Sequence, residues 1–185
     1  RTRALDEFFF VIATQNPLDL SGTFPLPAAQ LDRFLFKIKM THISRQAELE
    51  LLSNLKAVKA GAGEEYLRVT RTEILDTRHV VEEQVYVADV VREALVDIAD
   101  QTRNTDLALQ GVSTRALVLM IPALQARALT HKRDFVNADD IQELSKVVFG
   151  HRLALSPGAG TEESVVEECC KKPLERLARA TLRRR

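Results

Sequence analysis

Three side chains of this sequence are of types that can act on a phosphate without supplying a nucleophile: Asn16, Arg33 and Arg115. Asn16 lies in TQNP, just past the carboxyl end of the apolar run Phe8 to Ala13, and Pro17 stops the run directly after it. Ligands of open α/β sheets bind beyond such strand ends. An amide placed there donates and accepts at once, so it can orient a water or meet a phosphate oxygen without adding charge. Arg33 follows Asp32 and precedes the apolar FLF of residues 34–36. A guanidinium projected from the root of a strand can stabilise a transferring phosphoryl group, worth ~10³ to 10⁵ in rate where it occurs. Arg115 falls in the first turn of a helix, behind Gly111 and the N-cap candidate Ser113. A cation there is unfavourable by ~0.3–1 kcal/mol, which invites an anion. Each residue also has a plain structural reading. Asn-Pro is an ordinary turn pair, Asp32 and Arg33 can form a surface charge pair, and first-turn arginines are common. Taken singly, none of the three decides the matter.

The elements that must position them fall into two regimes. Residues 1 to 40 read as sheet and loop. Phe8 to Ala13 has the near-continuous apolar character of a strand buried on both faces. Phe34 to Met40 alternates, with Phe34, Phe36, Ile38 and Met40 on one side and Lys37 and Lys39 on the other, as in a strand nearer an edge. A short helix begun at Pro27, a proper first-turn proline, leads to Arg33. From Thr41 onward the period is helical. Ser44 is the expected N-cap of a helix through Leu55. Helices are expected around Thr72–Val81 and Ala88–Arg103, the second with Val91, Leu95, Ile98 and Ala99 on one face. Another should run from Ser113 to Thr130, kinked or broken at Pro122. Asn137 and Asp140 have the spacing of a capping box for a helix to Phe149. A last helix is expected within 161–182, interrupted at Pro173. KAGAGEE, residues 59–65, is the best internal break. Two or three strands make a poor sheet alone, so the chain reads as the later part of a longer fold.

Bulk properties narrow the partners. Lys+Arg and Asp+Glu both number 26, so the net charge gives no electrostatic case for nucleic acid. The sequence has no apolar run near the ~20 residues that span a bilayer and no signal-peptide pattern at RTRALDEFFF. Cys169 and Cys170 are adjacent and the four histidines are scattered, which supplies neither a disulfide framework nor metal-ligand spacing. A reducing, cytoplasmic setting is the expectation, with no metal held by this chain. The tail carries Glu162, Glu163, Glu167 and Glu168 before seven cations in 171–185. It reads as an amphipathic helix with a solvated end.

The order of the segments carries more than any one of them. FFVIATQNP, GTFPLPAAQLDRFLFKI, GVSTRALVLM, KRDFVNADDIQEL and VVFGHRLALSP together resemble the MoxR family of AAA+ ATPases over roughly residues 8 to 157. The resemblance implies a mainly α chain with a small β part: the last two strands of an AAA+ α/β core in residues 1–43, then a helical lid bundle with a C-terminal helix in residues 44–185. It implies that Asn16 is sensor 1, Arg33 the arginine finger reaching a neighbouring subunit, and Arg115 the sensor-2 arginine of the lid, acting in cis or in trans. It further implies ATP and Mg²⁺ as cofactors and a homo-oligomeric ring, with a hexamer the expectation. The partners would be client protein complexes, with von Willebrand A-domain proteins among the candidates. No G-x-x-x-x-G-K-[ST] loop or acidic Walker B strand occurs in the sequence, so the chain by itself is expected not to hydrolyse ATP. A non-enzymatic helical interaction module is the alternative. Thr114 stands where the family has proline, and Pro122 departs from the family's lid helix.

Overall fold

The computed structural model describes residues 3–15, 26–56 and 68–182, with side chains to residue 180. Asn16 and the KAGAGEE break lie outside the described residues. The elements are α1 (Ala28–Leu31), α2 (Arg45–Ser53), α3 (Arg71–Gln84), α4 (Asp89–Arg103), β1 (Ala108–Gln110), α5 (Thr114–Thr130), α6 (Ala138–Phe149), a 3₁₀ turn (Gly150–Arg152), β2 (Ala154–Leu155) and α7 (Glu162–Leu182). The chain is thus mainly α with a small β part.

The helices begin where short polar side chains can take up free N–H groups. Ser44 accepts from Ala47 N at 3.2 Å. Thr70 and Glu73 form a reciprocal capping box at the head of α3. Asn137 Oδ1 accepts from Asp140 N at 3.1 Å while Asp140 Oδ2 accepts from Asn137 N at 3.0 Å. α5 ends in a Schellman motif, with Lys132 at φ 57° and Arg133 N donating back to Ala128 O, which settles orphan carbonyls. That turn aims Arg133 at Asp140. Its two terminal nitrogens donate to the carboxylate at 2.8 and 2.6 Å, and Arg127 Nε lies 3.3 Å away. Burial raises the pKa of Asp140, but the bonds from Arg133 and Asn137 outweigh it and hold the carboxyl below its ordinary value.

The core lies among α4 to α7. Val91, Leu95 and Ile98 of α4 meet Met120 and Leu124 of α5, Ile141, Val148 and Phe149 of α6, and Val166, Cys170 and Leu177 of α7. The 3–4 spacing of α4 places Ala94, Ala99 and Thr102 on the same buried face, as an amphipathic stripe requires. α7 packs along both α4 and α6.

Three expectations are corrected. Neither Phe8–Ala13 nor Phe34–Met40 forms a strand. A strand is defined by a neighbouring strand that takes its N–H and C=O groups, and among the described residues no strand does so here. Phe9, Phe10, Val11 and Ile12 are exposed, as are Ile38 and Met40. The strands present are instead β1 and β2, which pair antiparallel as Ala108 with Leu155 and Gln110 with Ala154. Secondly, α5 runs unbroken through Pro122. Pro122 and Val118, whose carbonyl loses its bond, are both on the solvent side, where water replaces that bond. Buried Met120 and Leu124 anchor the helix to the core on either side of Pro122. Thirdly, α7 continues through Pro173, fixed on either side by buried Cys170 and Leu177.

Gly111 joins α4 to α5 at close quarters. A Cβ there would lie 2.6 Å from both Arg103 N and Thr102 O, so backbone must move. Gly111→Ala should therefore cost ~1–3 kcal/mol. Asp140→Asn, which leaves two guanidiniums facing a neutral amide, should cost about 3 kcal/mol. Urea unfolding of both variants measures these losses.

Candidate functional site

α1 is a single turn entered from Pro27, whose carbonyl accepts from Gln30 N at 2.8 Å. It ends at Leu31, and Asp32 and Arg33 form the turn that follows. Their side chains part company there. Arg33 is exposed, and its side chain has no hydrogen bond or ion pair among the described residues. Asp32 turns inward. The reading of Asp32 and Arg33 as a surface charge pair therefore fails, because Asp32 is engaged elsewhere.

Its partner is Arg152, from the 3₁₀ turn after α6. Arg152 Nε donates to Asp32 Oδ1 at 2.9 Å, and the Arg152 side chain is only 2 % exposed. The rest of the fork takes up backbone. Nη2 donates to Asp32 O at 3.0 Å and Phe34 O at 2.6 Å, while Nη1 donates to Leu35 O at 3.2 Å and to Val148 O. Burial draws the Arg152 pKa down and the Asp32 carboxylate draws it back up; the group stays cationic, as arginine does in proteins. Next to it, His151 Nε2 lies 3.1 Å from Phe34 O. Burial, with the Arg152 charge beside it, lowers the His151 pKa. Lys37 N donates to Val147 O at 3.0 Å, and Lys39 Nζ reaches Glu163 at 2.8 Å and Glu162 at 3.5 Å. The whole strip from 32 to 39 is thus bound along the helical bundle.

Asp32 also reaches the head of α5. Ser113 Oγ lies 3.2 Å from each carboxylate oxygen and accepts from Ala116 N at 3.4 Å. The hydroxyl donates to the acid and caps the helix with the same atom. Val112 is held to α4 on both sides: its N donates to Thr102 Oγ1 at 3.0 Å and its O accepts from Arg103 Nε at 2.9 Å. Two residues after Ser113 comes Arg115, exposed and likewise unpaired among the described residues.

Arg33 and Arg115 share one surface feature. They line one open groove of about 710 Å³ with Val118 and Leu119. A second groove of about 660 Å³, lined by Phe9, Phe10, Val11, Gln30, Phe34 and Leu35, adjoins at Arg33. Two free guanidiniums beside an apolar wall suit a phosphate-bearing ligand, since arginine forks match phosphate oxygens. The described lining offers no carboxylate, so it does not fit Mg²⁺, which needs hard oxygen ligands. The third predicted residue, Asn16, lies outside the described residues and is not located. Sequence reasoning missed Arg152 and His151. An arginine two positions after the apolar VVFG of residues 147–150 was a signal that some acceptor must be buried with it, but the partner stands more than a hundred residues earlier.

Comparison with known proteins finds relatives of this chain. Residues 1–36 match the profile of the ATPase family associated with various cellular activities (AAA), and residues 100–169 match that of the AAA lid domain. The uncharacterized protein YeaC of Bacillus subtilis is 39% identical over 184 residues, covering 96% of this chain and 57% of that protein. Chaperone MoxR1 of Mycobacterium tuberculosis is 32% identical over 192 residues, covering 96% of this chain and 48% of that one. The chain thus spans about half the length of these relatives. A crystal structure of a candidate ATPase from Cytophaga hutchinsonii superposes with a TM-score of 0.79 at 28% identity, covering 92% of this chain and 55% of that one.

The lowered pKa of His151 fixes the sign of a pH effect. The unfolded chain takes up a proton near the ordinary value of 6.5 that the folded chain refuses. Stability is complete above that value and is lost as pH falls through the window below it. Between pH 7.5 and 5.5 the melting temperature should drop further for the natural protein than for His151→Gln, which keeps a donor toward Phe34 O. Equal drops would assign the effect to other groups.

Proposed function

Because this chain belongs to the MoxR family of AAA+ ATPases, we propose that it supplies the trigger parts of an ATP-hydrolysing, chaperone-like remodelling factor. The observation that carries this reading is the pairing of Arg33 and Arg115. They are distant in sequence, free of partners among the described residues, and set on one groove. An exposed arginine usually finds a carboxylate or solvent with little consequence. Two that converge while a nearby acid is tied up elsewhere make a local positive field suited to an anion.

On this reading Arg33 acts as the arginine finger, presented to the ATP of a neighbouring subunit in a homo-oligomeric ring. Arg115 acts as sensor 2 on the nucleotide's phosphates, and Asn16 as sensor 1, orienting the attacking water. Residues 1–43 belong to the ATPase core and 44–185 to the lid. Phosphoryl transfer depends on positioning and charge compensation rather than covalent chemistry. The two guanidiniums contribute the charge, from an open groove that Val118 and Leu119 also line. Mg²⁺ and the phosphate cradle come from residues other than these. Client complexes, von Willebrand A-domain proteins among them, and a cytoplasmic setting complete the proposal.

The alternative, a binding module without catalysis, draws on one fact: the sequence contains no G-x-x-x-x-G-K-[ST] loop. The two readings separate experimentally. In the full-length protein, Arg33→Ala should lower ATP turnover by at least ~10³-fold while equilibrium nucleotide binding changes little. Arg33→Lys should restore only a fraction, because a point charge does not replace the planar fork. Undiminished turnover in Arg33→Ala would remove the finger assignment, and absence of ATP binding by the full-length protein would leave the binding module.

A further inference from the structure

We infer that Arg152 is a positioning residue, which through Asp32 locks the Arg33 turn and the head of α5 together so that the two groove arginines are held as a fixed pair. The inference rests on the reading of Arg33 and Arg115 as phosphate contacts, and it adds the device that aligns them. Neither arginine is oriented by contacts of its own among the described residues. Their placement is inherited from the backbone beneath them. Beneath Arg33, the carbonyls of residues 32, 34 and 35 all accept from Arg152, and His151 adds a contact to the carbonyl of Phe34. Beneath Arg115, the N-cap hydroxyl of Ser113 meets both oxygens of the same Asp32 carboxylate. One buried ion pair therefore touches both supports.

The pair does a second thing. Asp32 is the acid next to Arg33 in sequence and within reach of the head of α5. Left unpaired, it would be the nearest anion to both groove cations and would compete with any phosphate. Arg152 removes that competitor by binding it from the interior. Loss of Arg152 should therefore loosen the two arginines and release an internal rival for them. A loss of alignment of about 1 Å costs on the order of 10²-fold in rate.

The test reads geometry and turnover separately. Spin labels at Gln30→Cys and Val118→Cys, both exposed positions, flank the pair in the full-length protein. Cys169 and Cys170 are buried, and burial raises both their thiol pKa values, that of Cys170 to about 11, so they label poorly. The interspin distance distribution should be narrow in the natural background and clearly broadened by Arg152→Gln at unchanged helical content. An equally narrow distribution in folded Arg152→Gln would overturn the inference. If that variant does not fold, Ser113 gives the same answer with a milder change. Ser113→Gly preserves most of the helix cap but drops the bond to Asp32 and should broaden the distribution, whereas Ser113→Thr keeps the hydroxyl and should restore it. Identical distributions in the two would equally overturn the inference. In turnover, Arg152→Gln should lower kcat for ATP about 10²-fold with KM little changed, and adding Asp32→Asn should recover part of the loss. Broadened distances with undiminished kcat would overturn the phosphate reading of Arg33 and Arg115 and leave the latch standing.

Discussion

A guanidinium is seldom buried without acceptors for its five donors, and Arg152 is buried. The acceptors within reach are few. Val148 O, one turn back on α6, is one. The others come from a separate piece of chain: the Asp32 carboxylate and the carbonyls of residues 32, 34 and 35. Much else depends on this demand. It holds an otherwise strandless strip against the bundle, sets Asp32 inward and Arg33 outward, and gives the Ser113 hydroxyl its acceptor. A buried ion pair of this kind is weak evidence for net stability, since desolvation offsets much of the attraction. Its value lies in specifying one arrangement, because few others satisfy every donor.

The scaffold beneath it is of a different physical kind. α4, α5, α6 and α7 cohere through non-directional apolar burial centred on Leu95, Ile98, Met120, Leu124, Ile141 and Phe149. Such a core tolerates substitution of similar volume. The polar constraints sit at its margins, where Asp140 gathers Arg133, Arg127 and the α6 cap, and where Gly111 lets α5 start against the end of α4. Apolar packing holds the helices together and these marginal contacts set where each begins. The groove depends on both, for Arg115 stands in the first turn of a helix whose register is set by Ser113 and whose depth is set by Ala116 and Met120.

Much of this was legible in the sequence, and the reasons are local. Ser44, Ser113, and Asn137 with Asp140 all mark helix starts by chemistry confined to three or four residues. The stripe of Val91, Leu95, Ile98 and Ala99 needs only the 3.6 period. Phe8–Ala13 and Phe34–Met40 were misread as strands because their composition states a preference for pairing, whereas a strand exists only where a partner supplies it. β1 and β2 escaped notice because two or three residues show no period. Pro122 and Pro173 were read as breaks from propensity alone, and the buried residues on either side override that propensity. Arg33 and Arg115 were found by segment order. Their convergence on one groove was not, since it passes through Asp32 and Arg152, and no pattern in a linear chain joins two residues so far apart.

That separation has a kinetic side. Asp32 and Arg152 are 120 positions apart, so closing the loop between them costs chain entropy that no local contact returns. The contacts of α4 with α5 and of α5 with α6 close far shorter loops and can form first, during synthesis as well as in refolding. Arg152 leaves the ribosome only after α1 to α6 have been made, and until then the Arg33 turn has nothing to grip. The contact order of one ion pair therefore imposes a sequence of assembly: the contacts among α4, α5 and α6 form before the arginine pair is armed, and a half-made chain cannot present it.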